Sequence, residues 1–387
     1  MKKTIRSKVK KYIWPSLLVI LIVFAAVNAF TPDKEISLSE KRTLASFPKM
    51  TASALADGSF SSKFETWAAD QLNGRDALVK IRTGMKLLSG DPLSNDVYKC
   101  SGGYLIERLY NSDETKLFNT AGALNALYDA AGLNIVLVCV PTAQEILPER
   151  LPAAAQVDDT ASLMSGFYGC LNENITVCDL TGAIRSFSGS GSQAYYHSDH
   201  HWTTICAANC INDVFGALGI MNNTSWKPLD VCAAFSGSLK AKSGFSAKTD
   251  VITVYKPETE TAYIVTDESS REKKASVYSL EGLESPDPYT VFLGGNSGLL
   301  KIETEAADKG RLLVFKDSFF NCFLPFLIPE YSRIDVVDPR YYYDDIKMLL
   351  SSGGYTGILC FYNMHTLAED TYLSAVLSDV SAREGEV

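Results

Sequence analysis

The sequence predicts an α/β fold for the larger part of the chain, and three observations carry that expectation. Short apolar runs of strand length begin with Ile135–Val140 and Ile175–Leu180. Three more, Leu312–Phe315, Ile334–Val337 and Ile358–Tyr362, recur near the C-terminus with helix-length segments between them. Their spacing, roughly 22 residues, suits parallel strands joined by crossover helices.

The elements before the first strand read differently. Lys2, Lys3, Arg6, Lys8, Lys10 and Lys11 precede an apolar stretch from Ile13 to Phe30, interrupted by Pro15, Ser16 and Asn28. A basic flank marks the cytoplasmic side, so residues 1–30 read as a signal anchor, a transmembrane helix with the remaining chain outside the cytoplasm. The uninterrupted part, Leu17–Val27, is only eleven residues. Such a length also suits a cleavable signal, with Val27-Asn28-Ala29 as the cleavage site and secretion as the alternative. Residues 31–95 read as a neck followed by helices, since Phe60, Phe64, Trp67, Leu72 and Leu78 fall at helical spacing within 59–88. Ser112 or Asp113 can cap a further helix that ends near Gly132.

Residues 96–387 then form the α/β domain. Thr203–Leu218 reads as a helix, and 236–292 as an antiparallel insertion, with alternation in Val251–Tyr255 and Ala262–Val265.

Charge excludes some partners. Removing the six N-terminal basic residues from 36 leaves 30 against 45 acidic residues, a balance of −15. A domain of that sign repels phosphate backbones, so nucleic acid is not an expected partner, and neither is an anionic lipid surface. The nine cysteines are odd in number and lack CxxC spacing, so neither a zinc site nor a dense disulfide framework is expected.

Two short segments hold residues suited to chemistry. Three of the four histidines, His197, His200 and His201, lie within five positions, in the run Asp199-His200-His201-Trp202. A carboxylate beside an imidazole orients it and supports its cation. His and Asp are also zinc-ligand types, but neighbouring His200 and His201 are expected to point apart, and no distant partner motif exists. No metal and no cofactor is expected. His365 is expected in a solvated loop. The second segment is the strand Leu312–Phe315 followed by Lys316-Asp317-Ser318-Phe319. A serine there stands at the carboxyl end of a strand, where open α/β sheets place their ligands. The same Asp-Ser pair can equally serve as a helix cap.

Further motifs run through most of the chain: Glu40-Lys41-Arg42-Thr43-Leu44-Ala45-Ser46-Phe47-Pro48, Asp96-Val97-Tyr98, Gly102-Gly103-Tyr104-Leu105, and Val140-Pro141-Thr142 with Leu147-Pro148. Others are Phe292-Leu293-Gly294-Gly295-Asn296 and Asp338-Pro339-Arg340-Tyr341-Tyr342. With the Asp199–Trp202 run and Lys316–Phe319, this set resembles the DHHW family of bacterial surface proteins, relatives of the alginate O-acetyltransferases. The resemblance implies an SGNH-hydrolase-like, flavodoxin-like three-layer fold, circularly permuted because the serine comes last.

It also implies a triad of Asp199, His201 and Ser318 acting on a cell-surface or exported polysaccharide as a serine-dependent O-acyltransferase or acetylesterase. A membrane-embedded partner protein would supply the acyl group. The implied oxyanion donors are the Ser318 N–H and a side-chain amide, from Asn363 or from Asn296, each of which can also simply form a turn. Trp202 and Arg340 are candidates for binding substrate. One residue departs from the pattern: Lys316 stands where SGNH enzymes carry glycine, which requires a turn of negative φ. A non-catalytic glycan-binding or envelope-assembly protein is the alternative reading.

Overall fold

The computed structural model describes residues 2–37 and 39–381. The side chains of residues 2–11, on which the reading of a basic flank rests, lie outside the described residues. The chain forms two compact units, Met1–Asp91 and Pro92–Val387.

In the first unit, helix α1 runs from Lys2 to Phe30 with Pro15 inside it. The expected transmembrane helix is not supported here: among the described residues no helix is long and apolar enough to cross a membrane. The apolar stretch from Ile13 to Phe30 is interrupted by Pro15, Ser16 and Asn28, which leaves only the eleven residues Leu17–Val27 unbroken. The helical spacing of 59–88 resolves into two helices, α2 (Ser59–Asp70) and α3 (Arg75–Leu88), separated at Gly74, whose φ of 79° lies in the left-handed region. Asp70 ties the neck to α2. Its carboxylate accepts both terminal nitrogens of Arg42, at 2.8 and 2.5 Å, and the Ala45 N–H at 2.9 Å. The Arg42 bond holds the Asp70 carboxyl down at about 2, although burial opposes it.

The second unit opens with a small antiparallel sheet of β1 (Leu93–Ser94), β2 (Val97–Lys99) and β3 (Leu105–Glu107). Helix α4 (Glu114–Ala131) follows, capped by Asp113 and closed by Gly132 at a φ of 61°. Strand β4 (Ile135–Val140) is buried at all six positions, as expected of a parallel strand covered on both faces. Then come α5 (Thr160–Tyr168), β5 (Thr176–Asp179) and α6 (Thr181–Gly189). The segment read as one helix breaks at Cys210 into α7 (Thr204–Asn209) and α8 (Ile211–Leu218).

Next, β6 (Trp226–Phe235) pairs antiparallel with β7 (Asp250–Pro257) across the short helix α9 (Ser238–Ser243). Strand β8 (Tyr263–Asp267), however, joins the main sheet, together with β9 (Lys273–Lys274) and β10 (Leu299–Thr304). The closing elements are β11 (Arg311–Lys316), β12 (Arg333–Val337), α10 (Ile346–Gly353), β13 (Gly357–Asn363), α11 (Met364–Glu369) and α12 (Tyr372–Ser381).

The main sheet has eight strands in the order β9-β8-β10-β12-β11-β13-β4-β5. Its β12-β11-β13-β4-β5 portion is parallel. Alternate residues of each parallel strand enter opposite cores. Val136, Val138, Val314 and Phe361 pack with α6, α7 and α8, whereas Leu137, Cys139, Leu313 and Cys360 pack with α4, α5, α10 and α12. The result is a helix–sheet–helix sandwich.

Counted from β11, the five parallel strands take the spatial order 2-1-3-4-5 of a doubly wound sheet, with the chain starting at the fourth. The order reverses between β11 and β13. A crevice at that switch point lies beyond the carboxyl ends of the strands, and Ser318 is two residues past β11. All nine cysteines are free thiols, and of these only Cys170 is exposed and Cys232 half-buried.

Candidate active site

Beyond β11 the backbone stays extended at Asp317, with φ −104° and ψ −171°, and then turns into a short 3₁₀ helix, Ser318–Cys322. Asp317 caps that turn through a bond from the Phe319 N–H at 2.9 Å. Its other oxygen accepts the Asn363 N–H at 2.8 Å, which fixes the end of β13 beside the serine. Burial pushes the Asp317 carboxyl up, and these N–H donors work against that.

Lys316 does not require the glycine conformation, because the positive-φ residues do not include it. Its stem is buried and its ammonium meets Asp338 at 2.8 Å. Arg340 grips the same carboxylate with two bonds, at 2.8 and 2.7 Å. Burial opposes the charge on Asp338, but Arg340 and Lys316 together hold its carboxyl below the usual range. Arg340 is therefore part of a structural ion cluster beside the turn.

The Asp199–Trp202 run reaches this turn from the other direction. Residues Tyr195 and Trp202 face each other as an isolated antiparallel bridge, so the segment between them is a tight loop. Asp250 fills the loop, accepting the His197 and Ser198 amides, the Ser198 hydroxyl, the Gln193 amide and one nitrogen of His197. Trp202 is fully buried and donates its indole N–H to the Phe319 carbonyl at 3.0 Å. That bond joins the loop to the serine turn from below, so Trp202 is a packing residue and presents no wall to a substrate.

The result is a continuous chain of hydrogen bonds. Asp199 Oδ1 lies 2.6 Å from His201 Nδ1, and His201 Nε2 lies 2.7 Å from Ser318 Oγ. Asp199 also accepts the His201 N–H at 3.0 Å and the Ser238 N–H at 2.7 Å. Gly237 makes the last contact possible, since a Cβ there would stand 2.2 Å from the Asp199 Cβ. The imidazole of His201 stacks on Tyr289, with centroids 3.8 Å apart and an interplanar angle of 10°. Tyr289 in turn donates to the Ser318 carbonyl at 3.3 Å. Burial, with His200 beside it, pushes the His201 imidazole down to about 4 against the pull of Asp199. Burial opposes ionisation of Asp199, but His201, His200 and the Ser238 N–H hold it well below the usual carboxylate range. The pair therefore rests as carboxylate and neutral imidazole, the state a general base requires.

His200 departs from expectation. Its ring lies against that of His201, with centroids 3.9 Å apart, instead of pointing away, and its Nδ1 meets Ser238 Oγ at 2.8 Å. Asp199, His200 and His201 could each offer one metal ligand within 4.8 Å of the others. Both ring nitrogens of His201 are already engaged, however, by Asp199 and Ser318. His365 is not in a solvated loop but in α11, half-buried, and with His200, Glu107, Thr142, Phe319 and Asn363 it lines a cleft beside the serine turn.

The two asparagines are placed otherwise than the resemblance implied. The Asn363 side chain donates to the carbonyls of Val140 and Pro141, at 3.0 and 2.9 Å, and accepts the His365 N–H at 2.9 Å. Its amide is thus a clamp between β13 and β4, with no donor left for an oxyanion. Asn296 is exposed, and its amide reaches only the Tyr341 hydroxyl at 3.4 Å. Sequence reasoning missed Tyr289, Gly237, Ser238 and Asp250. Gly237 and Ser238 open the short helix α9, Tyr289 sits in a 3₁₀ turn and Asp250 starts β7, and none of them carries a motif of its own.

A family model described as DHHW protein matches residues 133–337, just over half of the chain. Among solved structures, the chain is similar to a DHHW family protein from Eubacterium siraeum, at 19% identity and a TM-score of 0.63, over 75% of this chain and 98% of that one. It is also similar to Bacillus cereus PatB1, solved with a sulfonyl adduct, at 16% identity and a TM-score of 0.61, over 72% of this chain and 99% of that one. Among curated proteins no sequence match is found. At such identities the structural likeness carries the fold alone.

Proposed function

This chain belongs to the DHHW family, and from that premise we propose that it is a serine-dependent O-acyltransferase or acetylesterase acting on an exported or cell-surface polysaccharide. The observation that carries the reading is the unbroken chain Asp199–His201–Ser318, with links of 2.6 and 2.7 Å. The permuted doubly wound sheet supports an SGNH-like site, since it sets the serine at the switch point.

Ser318 Oγ attacks an ester carbonyl while His201 Nε2 takes its proton, and Asp199 steadies the resulting imidazolium. The negative oxygen of the tetrahedral intermediate faces the Ser318 N–H, which has no partner among the described residues. Collapse expels the donor's alcohol, which leaves with the proton from His201, and the acyl group stays on Ser318. An acceptor hydroxyl, from a sugar or from water, then gives its proton to His201 and takes the acyl group, and His201 passes that proton to Ser318 Oγ as the acyl–serine bond breaks. The basic flank and the short apolar run support an export signal, so the reaction takes place outside the cytoplasm. An acyl donor must be supplied there, and a membrane-embedded partner protein is the proposed source.

One observation favours the alternative, a non-catalytic glycan-binding protein: the amide of Asn363 is not free to complete an oxyanion hole. A sulfonyl fluoride separates the two readings. The enzyme reading expects covalent sulfonylation of Ser318 and hydrolysis of an activated acetyl ester, both lost in Ser318→Ala. Unlabelled wild-type protein that binds glycan with its full fold would support the alternative.

A further inference from the structure

Helix α3 carries an apolar stripe that is left exposed. Leu78, Ile81, Met85 and Leu88 follow one another at spacings of three and four, and are 48, 58, 65 and 89% exposed. Residues so spaced share one face of a helix. The inward face is instead marked by Thr83, which is buried, and by the half-buried Val79. The rest of the helix is basic, with Arg75, Lys80, Arg82 and Lys86 against the single acid Asp76. Arg75 and Lys86 are bonded to Glu40 and Asp91, whereas Lys80 and Arg82 are exposed. A helix with a strong apolar face, low overall hydrophobicity and a basic border is the kind that lies flat in a bilayer interface.

A second observation joins this face to another apolar surface. In α1 every residue from Leu17 to Phe24 is exposed. The end of α1 is bonded to the start of α3: Asn28 accepts the Asn73 N–H at 2.7 Å, and the Asn73 side chain donates to Thr31 at 2.9 Å. Two exposed apolar helices thus meet at one joint within a single unit. We infer that the Leu78–Leu88 stripe of α3 docks on the surface of an anionic lipid bilayer, with Lys80 and Arg82 toward the headgroups. The acidic balance of the chain argued against anionic lipid, but attraction between exposed charges is screened within about 10 Å, so the local sign on α3 decides the contact.

The test uses the full chain with Cys170→Ser and Cys232→Ser, which removes the accessible thiols. Single cysteines at Leu78, Lys80, Ile81, Met85 and Leu88 receive a nitroxide label, on vesicles of phosphatidylcholine with a minority of phosphatidylglycerol. The expected result is high collision with oxygen and low collision with an aqueous nickel chelate at 78, 81, 85 and 88, and the reverse at 80. Nickel access at all five positions would leave α3 in water, with any attachment due to α1 alone, and would overturn the inference. Low collision with both reagents would mean that protein covers the stripe, a second copy or the chain itself, and would overturn it too. An unchanged pattern on pure phosphatidylcholine would refute the requirement for anionic lipid.

Discussion

Lys316 and Asp338 form a buried ion pair of 2.8 Å, linking the last residue of β11 to the residue that follows β12. The lysine stands where a related turn would carry glycine, yet the turn beyond it remains intact. Its stem fills the space beside the serine turn, and its charge, with that of Arg340, compensates a carboxylate that would otherwise be buried alone. Breaking a buried pair leaves an uncompensated charge, which is strongly destabilising. Lys316→Gly should therefore lower stability by about 3 kcal/mol, with Arg340 limiting the loss. Lys316→Met, which keeps the stem, should lose less. Urea denaturation measures both, and a Lys316→Gly protein as stable as wild type would contradict the role assigned to the pair.

Asp199→Asn keeps the shape of the acid but offers His201 an amide in place of a carboxylate. In a triad such a change disturbs the imidazole tautomer and costs roughly 10⁴-fold in rate. The same order of loss is expected here in hydrolysis of an activated acetyl ester. A variant that retains a tenth of the activity or more would remove Asp199 from the mechanism.

Gly237→Ala tests the same carboxylate by sterics. The added Cβ would meet Asp199 at 2.2 Å, far inside van der Waals contact. Either Asp199 or the start of α9 must shift, so sulfonylation of Ser318 should slow at least tenfold while circular dichroism stays native. Labelling at the wild-type rate would mean that this loop has slack the structure does not suggest.

The parallel strands were legible because each is buried on both faces. Ile135–Val140 and Ile358–Tyr362 read as continuous apolar runs, without the alternation that confuses half-exposed strands. The helix from Asp113 to Gly132 was legible through its caps. The partner of β8 was not, since Tyr263–Asp267 alternates like any hairpin strand and pairs with Leu299–Thr304, some thirty residues away in sequence. The site divides along the same line. Asp199, His201 and Ser318 announce themselves by residue type, whereas Tyr289 stacks on His201 from a four-residue 3₁₀ turn, Pro288–Val291, too short to show a period. The lysine at 316 was visible as a departure, but its partner at 338 becomes evident only when β11 and β12 lie side by side.

The resting state of His201 predicts a pH profile. Its imidazole is pushed down to about 4 by burial and by His200, so it is neutral and able to accept a proton throughout the physiological range. Activity should be flat around neutrality and fall as the pH drops below about 5, when the base becomes protonated. His200→Ala removes one of the two influences that lower it, and so should move the inflection upward. The profile of kcat/KM for an activated ester reads both. An inflection between about 6.5 and 7 in the wild type would show an imidazole that behaves as if solvated.

Asn363 gives the last prediction, because two roles for it differ in what they cost. As an oxyanion donor, its removal would slow the reaction by about 10²–10³-fold without much effect on folding. As the clamp seen here, it donates to the Val140 and Pro141 carbonyls at 3.0 and 2.9 Å, and its removal strips both of a partner in a buried setting. Each buried group left unsatisfied costs about 1–3 kcal/mol. Asn363→Ala should therefore lose stability first, by about 2–4 kcal/mol, while sulfonylation per folded molecule falls less than tenfold. Asn363→Asp should be worse for folding, because a carboxylate would then face two carbonyl oxygens with no proton between them. Denaturation and labelling kinetics on the same preparations decide between the roles. A stable Asn363→Ala protein with a hundredfold slower Ser318 would return the residue to the oxyanion hole, and would require its amide to leave β4 during the reaction.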